Sequence, residues 1–395
     1  MRQTAQPQMR TRAIADFHIA IIGAGIGGLT AALSLQRHGF GVSIYEQAAE
    51  LREFGAGLVV TPNAMHALNA LGVGAAIIET SNVSVGLLFK HYKTGEILQS
   101  RPPGDYYKSK YGASHLLVHR ADLHAALSAA VLANDPACIH LDHAFSELCQ
   151  DENGVVARFV NGATIKADAL LGCDGYRSTV RDQVYGSTPV TFTGQVAFRA
   201  LVRSESLPDE VRKQPECAYV GPGRMLLHYP LRNRALMNIV GNARQDRWEA
   251  EGWAIPTERS EFLTLYSDFH PNALQMIGAI EPNALFKWGL RDREPLRQWT
   301  LGRVSTLGDA AHPMSPFLGQ GAVMAIEDGM VLGRCFAKAG TAEEALQLYE
   351  AARKPRANAV QIYSREQGSN LQHIDPGRGA EAIGLFNYNP TTVPI

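Results

Sequence analysis

The chain is poor in the residues that would tie it to metals, membranes or nucleic acid. Its 395 residues contain only five cysteines, at positions 138, 149, 173, 217 and 335, with no CxxC pair. A scattered, odd-numbered set excludes a disulfide framework and a zinc cluster, and it suits a reducing compartment. No excess of one charge is present either: 37 Lys and Arg face 38 Asp and Glu. Nucleic-acid binding needs a basic surplus to displace counterions, so that class is excluded. Only 19% of residues are charged and 46% are apolar, which is not the composition of a disordered chain. Long apolar runs are missing as well. Phe17–Gln36 and Phe54–Ile78 carry no Asp, Glu, Lys or Arg, yet glycines interrupt both and Pro62-Asn63 breaks the second. Neither makes a spanning helix. Met1–Asp16 holds Arg2, Arg10 and Arg12 but no apolar core and no cleavage-site pattern, and is expected to be a loose arm. The expectation is a soluble cytoplasmic protein without membrane or nucleic-acid partners.

What is present begins with a strand, a glycine turn, a helix and a second strand. His18–Ile22 is short and apolar, and Gly23-Ala24-Gly25-Ile26-Gly27-Gly28 follows it. The pattern then predicts a helix over Leu29–His38 and a strand over Gly41–Tyr45 ending in Glu46. Thr61-Pro62-Asn63 reads as a helix start, with Pro62 at the first helical position and a stop at Gly72. A further helix is expected from Asp122 to about Asn134, and strands over Val155–Phe159 and Ala167–Leu171. From about Val190 to Trp288 the chain turns to β-like runs, Gln195–Val202, Met225–Tyr229 and Leu236–Val240, then to helical patterns over Thr257–Ile280. Arg303–Leu307 resumes a buried strand, and two long helices are expected over Ala322–Gly340 and from Thr341 to about Gln372. A nucleotide-type unit opens and closes the chain around a β-rich section, so two interleaved domains are expected.

The glycine turn carries the first chemical signal. Gly23 permits a tight turn, Gly25 lets the backbone approach a pyrophosphate, and Gly28 lets the helix pack on the sheet. The helix N-terminus would offer unpaired N–H groups to phosphate. Glu46 stands about 20 residues on, where an acid binds ribose hydroxyls and repels a 2′-phosphate. That favours NAD or the ADP half of FAD. Two later turns place an Asp after a buried strand: Cys173-Asp174-Gly175, running into Arg177 and Ser178, and Gly308-Asp309-Ala310-Ala311-His312-Pro313. The second continues to Pro316-Phe317 and to Gly319–Ala322 at a helix start, where free N–H groups suit the negative charge of a reduced flavin.

With these motifs in order, the chain resembles the single-component (group A) FAD-dependent aromatic hydroxylases, in their salicylate hydroxylase and 6-hydroxynicotinate 3-monooxygenase branch. The resemblance runs from about His18 to Gln372 and includes His119-Arg120-Ala121-Asp122 and Tyr349-Glu350 with Arg353. It implies that Gly23, Gly25 and Gly28 hold the FAD pyrophosphate, Glu46 the adenosine ribose, Arg120 the phosphates, and Asp309 the ribityl and pyrophosphate region. Asp174 and Gly175 would serve FAD and support NAD(P)H docking, and Pro316 with the Gly319, Gly321 and Ala322 amides would border the isoalloxazine ring. No second GxGxxG is present, which fits a nicotinamide cofactor that docks transiently.

The resemblance also marks departures. The hydroxynicotinate enzymes carry a His where this chain has Val59, another at the position of Phe317, and a His and a Tyr where this chain has Arg224 and His228. An apolar Phe317 facing the flavin implies a less polar pocket. His228 and Tyr229 lie on a β-run that would roof the substrate, where either could orient or deprotonate a phenol. Arg199 and Arg224 are the residues able to hold a carboxylate.

The implied fold is α/β: a Rossmann-like FAD-binding domain (16–85, 113–188 and 297–372), a β-sheet substrate domain (86–112 and 189–296), C-terminal helices and a tail (373–395). The implied reaction uses FAD, NADH or NADPH, and O2 to hydroxylate a small phenolic, carboxylated or N-heteroaromatic ring through a flavin C4a-hydroperoxide. Decarboxylation would follow where the carboxylate sits on the attacked carbon. No metal is needed, and a homodimer is compatible with the sequence. The alternatives are a flavin-dependent epoxidase or tailoring monooxygenase, and a flavin-binding protein without oxygenase turnover.

Overall fold

The computed structural model describes residues 17–51, 56–248, 252, 254–371 and 373–395, so the expected N-terminal arm lies outside the described residues. The opening unit forms as its pattern predicts. His18–Ile22 pairs in parallel with Gly41–Tyr45 on one side and with Ala169–Gly172 on the other. Val304–Thr306 then pairs in parallel with Ala169–Gly172. The six-stranded sheet runs Thr300–Leu301, Val304–Thr306, Ala169–Gly172, His18–Ile22, Gly41–Tyr45, Ile139–His140. Its near-continuous apolar strands are those of a parallel sheet covered on both faces. Helices Ile26–Arg37 and Gly321–Lys338 belong to the core on one side, and Ser34 Oγ bonds the Met330 carbonyl between them at 3.2 Å.

One predicted strand divides. Ala167–Leu171 becomes Thr164–Ala167 in a separate antiparallel sheet and Ala169–Gly172 in the parallel one. Asp168 sits at the change of sheet, and its carboxylate accepts the His18 N–H at 2.7 Å.

The second sheet has eight strands, in the order Ile255–Pro256, Leu285–Asp292, Thr191–Arg203, Leu236–Arg244, Arg224–Leu231, Glu216–Gly221, Leu87–His91, Ile97–Arg101. It gathers segments from both sides of the 116–172 stretch, so the chain crosses between the sheets more than once. Period-two alternation splits its side chains cleanly. Val196, Phe198, Leu226, Met237 and Ile239 pack under the helices Arg259–Leu265 and Pro271–Gly278, against Phe262, Tyr266 and Met276. The other face carries Ala197, Arg199, Leu201, Leu227, Tyr229, Asn238, Asn242 and Trp288 and turns toward the loop at Phe317.

The C-terminal helices are present as Gly321–Lys338 and Ala342–Leu371. The tail packs back on the body: Phe386 is buried beside Tyr107, Tyr111 and His115, and Arg334 donates to the carbonyls of Pro390 and Val393. Among the described residues, no helix is long and apolar enough to cross a membrane.

Candidate active site

The carboxyl ends of His18–Ile22, Ala169–Gly172 and Val304–Thr306 converge on one edge of the parallel sheet, and the three signature turns leave from there. Gly23 adopts φ +105°, which favours glycine, and its N–H bonds the Tyr45 carbonyl at 2.8 Å. A Cβ at Gly28 would stand 2.1 Å from the Gly23 carbonyl oxygen, whereas a Cβ at Gly25 would meet nothing within 4 Å. The turn is therefore closed on its sheet side and open on its outer side, in front of the N-terminus of Ile26–Arg37. That is a cradle for an anion. Glu46 stands at its rim. One carboxylate oxygen accepts Ala24 N–H at 2.9 Å and the other Ala48 N–H at 3.0 Å, leaving lone pairs for ribose hydroxyls.

Asp309 leaves the same sheet edge as an exposed residue. Desolvation by the protein around it pushes its carboxyl up from the usual carboxylate range, and His312 and Arg120 oppose that. Its Oδ1 lies 4.0 Å from where a Cβ of residue 321 would stand, at the start of Gly321–Lys338. Asp309 thus stands by the start of Gly321–Lys338, with Arg120 acting on its carboxyl. Asp174 is different. Its oxygens accept the Ser178 hydroxyl (2.5 Å) and Val180 N–H (3.1 Å), so the carboxylate is occupied in capping its own turn.

A fully buried polar network that sequence reading did not assemble holds the Asp309 turn. His312 Nε2 pairs with Asp328 Oδ2 at 2.5 Å, and Gly308 N–H donates to the same oxygen at 3.2 Å. Arg353 then bonds Asp328 (2.8 Å) and Glu327 (2.7 Å). Arg356 and Asn63 also bond Glu327, and Asn63 reaches Gln320 just before the helix start. The i, i+1 acids Glu327-Asp328 and Arg353 with Arg356 were visible as residues, but only the packing of the two helices pairs them.

The loop after this turn faces the substrate sheet. Pro316–Leu318 forms a 3-10 turn and Gly319 follows at φ +64°, with Val59 against it. Phe317 packs on Ala197, Trp288 and Leu290, which joins the loop to the sheet. Arg199 lies on that face, its guanidinium carbon 5.4 Å from the Trp288 ring centre and its Nε without a partner. Burial lowers its pKa, the Tyr229 phenol opposes that, and Arg120 adds to it.

Tyr229 stands over Gly57, where a Cβ would meet its ring at 2.5 Å and its hydroxyl at 2.7 Å. Gly57 N–H bonds Asn238 Oδ1 at 3.0 Å, which fixes strand Gly57–Val60 against the sheet. Burial pushes the Tyr229 phenol well above its usual range, which holds it neutral.

Two expected pocket residues point elsewhere. His228 pairs across the ladder with Cys217 and sits beside the Tyr219 ring (6.2 Å) on the helix-covered face. Neither ring nitrogen has a partner, and burial pushes its pKa down to about 3. The odd–even phase of the strand that turns Tyr229 into the cleft turns its neighbour His228 out. Arg224, four residues earlier, shares the phase of His228. It pairs with Asp268 (2.9 and 3.2 Å) and covers Phe269 at 5.3 Å. The sequence-based roles of His228 as base and Arg224 as carboxylate ligand are corrected accordingly. A His228→Phe variant is expected to keep turnover within about twofold across neutral pH, since a neutral, unpartnered ring is replaced by an apolar one. A substrate-dependent NAD(P)H assay with product quantification checks this; a tenfold loss of turnover with unchanged thermal stability would restore His228 to the site.

The FAD binding domain family matches residues 16–363. The chain is 34% identical over 356 residues to a 3-hydroxybenzoate 6-hydroxylase of Polaromonas naphthalenivorans, covering 90% of this chain and 88% of that protein. It is also 34% identical over 382 residues to a 6-hydroxynicotinate 3-monooxygenase of Pseudomonas fluorescens, covering 95% and 96%. The fold is similar to that of Klebsiella pneumoniae HpxO complexed with FAD and uric acid, at a TM-score of 0.83 and 24% identity over 94% of this chain and 96% of that one.

Proposed function

Because the chain belongs to the FAD binding domain family, we propose that its cleft hydroxylates a small aromatic or N-heteroaromatic acid with NAD(P)H and O2. The protein is a FAD-dependent aromatic monooxygenase. The residues fit the cofactor: the Gly25 cradle is open where a pyrophosphate would lie, Gly28 closes the turn, and Glu46, Arg120 and Asp309 line the path to the Gly321–Ala322 amides. When bound, FAD supplies the redox chemistry that activates O2 after reduction by NAD(P)H. The chain supplies position, charge and the exclusion of water.

The observation that carries the substrate class is Arg199. It is a half-buried cation against Trp288 on the sheet face in front of Phe317, with the Tyr229 phenol raising its pKa against the effect of burial. A desolvated guanidinium there favours an anionic substrate, and its planar fork suits a carboxylate. The aromatic walls Trp288 and Phe317 suit a flat ring. Tyr229, a hydrogen-bonding phenol of raised pKa, would orient a ring hydroxyl, and Pro316 and Phe317 would border the flavin ring. Docking of NAD(P)H beside the Asp174-Gly175 turn belongs to the same reading, with the guanidinium of Arg181 and the mutually bonded Tyr176 and Arg293 as the neighbouring polar groups. Arg293 lies 5.4 Å from the Tyr176 ring centre. All five cysteines are free thiols, which accords with the cytoplasm. The division into a discontinuous cofactor domain and a substrate domain, and a homodimeric assembly, belong to the same proposal.

The test is NAD(P)H consumption by the FAD-loaded protein against hydroxybenzoates, hydroxynicotinates, hydroxypyridines and olefins, with product masses. An aromatic acid should stimulate consumption and gain one oxygen, or exchange carboxylate for hydroxyl. Olefin oxidation without aromatic turnover would replace this reading by an epoxidase.

A further inference from the structure

One buried amide on the substrate face has no use in the account so far. Asn242 is 4% exposed, and its side-chain Oδ1 has no hydrogen-bond partner. Its backbone is fixed from the opposite side, where the Tyr266 hydroxyl bonds the Asn242 carbonyl at 2.8 Å. The side chain shares its face with Asn238 and Val240, opposite Met225 on one neighbouring strand and Ala197 on the other. Ala197 is in turn opposite Trp288, and both pack on Phe317. Asn242 therefore stands at the Phe317–Trp288 end of the pocket.

Arg199 pairs across the ladder with Val240, which makes Asn242 its diagonal neighbour. Such positions have Cα atoms about 7–8 Å apart, a spacing that side chains bridge around one substituted aromatic ring. An amide oxygen buried without a partner is destabilising. A ligand that donates a hydrogen there recovers that cost.

We propose that Asn242 is a specificity-determining residue that reads the second polar substituent of the ring, accepting a hydrogen bond from a hydroxyl or ring N–H while Arg199 holds the carboxylate. The inference rests on the aromatic-acid reading above. It assigns the site a two-point substrate: an acid at one end and a hydrogen-bond donor at the other. Apolar substitution at that donor position would leave the Asn242 oxygen unpaired, which is how a polar site rejects an analogue that lacks the group.

The experiment needs no turnover. Without NAD(P)H, the FAD-loaded protein is titrated with benzoate and with 2-, 3- and 4-hydroxybenzoate, and binding is read from the flavin visible spectrum. At least one isomer should bind about tenfold more tightly than benzoate, the effect of about 1.4 kcal/mol. Asn242→Leu should erase that ratio while leaving FAD content and the benzoate Kd within about twofold. Asn242→Asp, which keeps an acceptor of the same shape, should weaken both ligands yet retain the ratio, and it serves if the leucine variant does not fold. A ratio unchanged in the leucine variant, no isomer favoured by the wild type, or no acid perturbing the flavin would overturn the proposal. Failure of the monooxygenase reading would show separately, as absence of oxygenated product.

Discussion

Gly25→Val should yield a protein that folds with wild-type thermal stability and purifies without bound flavin. A Cβ at position 25 meets nothing within 4 Å, so the folded chain has room for a side chain there. Gly25 already has φ −71°, a conformation open to any residue, so no backbone strain is added. The free space lies in front of the helix N-terminus, where the cofactor pyrophosphate must approach the backbone. Gly28→Val should behave differently. Its Cβ would stand 2.1 Å from the Gly23 carbonyl and 3.3 Å from the Cys173 side chain, so both the turn and the fold suffer. The pair separates the cofactor's need for space from the protein's own. Flavin absorbance of the purified proteins, with thermal unfolding curves, gives the answer. If Gly25→Val bound FAD normally, the placement of the pyrophosphate would be wrong.

The largest effect on stability is expected from Arg353. This guanidinium is completely buried between Glu327 and Asp328, and its pKa is raised by both. Arg353→Met would leave the two buried carboxylates with Arg356, His312, the Asn63 amide and the Gly308 N–H as partners and one full cation fewer. Removing one partner of a buried ion pair costs about 3–5 kcal/mol because the remaining charge is left uncompensated. For a chain of this size that is a fall in Tm of roughly 5 °C. The loss should reach the cofactor too, since Asp328 also accepts Gly308 N–H in the turn that carries Asp309. Neutralising the carboxylate as well, in Arg353→Met with Asp328→Asn, should recover part of the stability but not the flavin affinity. A variant of unchanged Tm would show that the network is not what holds the turn.

The cofactor half of the site was legible because its determinants are local. Gly23, Gly25 and Gly28 specify a turn within six residues, and Glu46 follows at the tip of the next strand. The Asp309 turn is likewise read from its own neighbours. The substrate half depends on quantities a sequence pattern leaves open. His228 and Tyr229 are adjacent, and which one enters the cleft is set by the phase of strand Arg224–Leu231 against its partners. One residue of register exchanges them. Asn238 and Asn242 alternate with apolar positions in Leu236–Arg244, and it is the placement of the sheet against Phe317 that turns their face to the cleft. Arg199 was recognised for its charge, while Arg224, of the same type, is consumed by Asp268, 44 residues away in sequence. Long-range ion pairs such as this and Arg353–Asp328 follow from packing, which no local motif encodes.

The central claim is that this cleft transfers one oxygen atom from O2 to an aromatic acid. Isotopically heavy O2, supplied with NAD(P)H to the FAD-loaded protein and the aromatic acid that best stimulates it, tests that claim by mass spectrometry of the product. The expected product is a hydroxylated ring carrying one heavy oxygen, in a yield that tracks NAD(P)H consumed. Consumption that yields only hydrogen peroxide for every aromatic acid, or a product whose new oxygen comes from water, would contradict it.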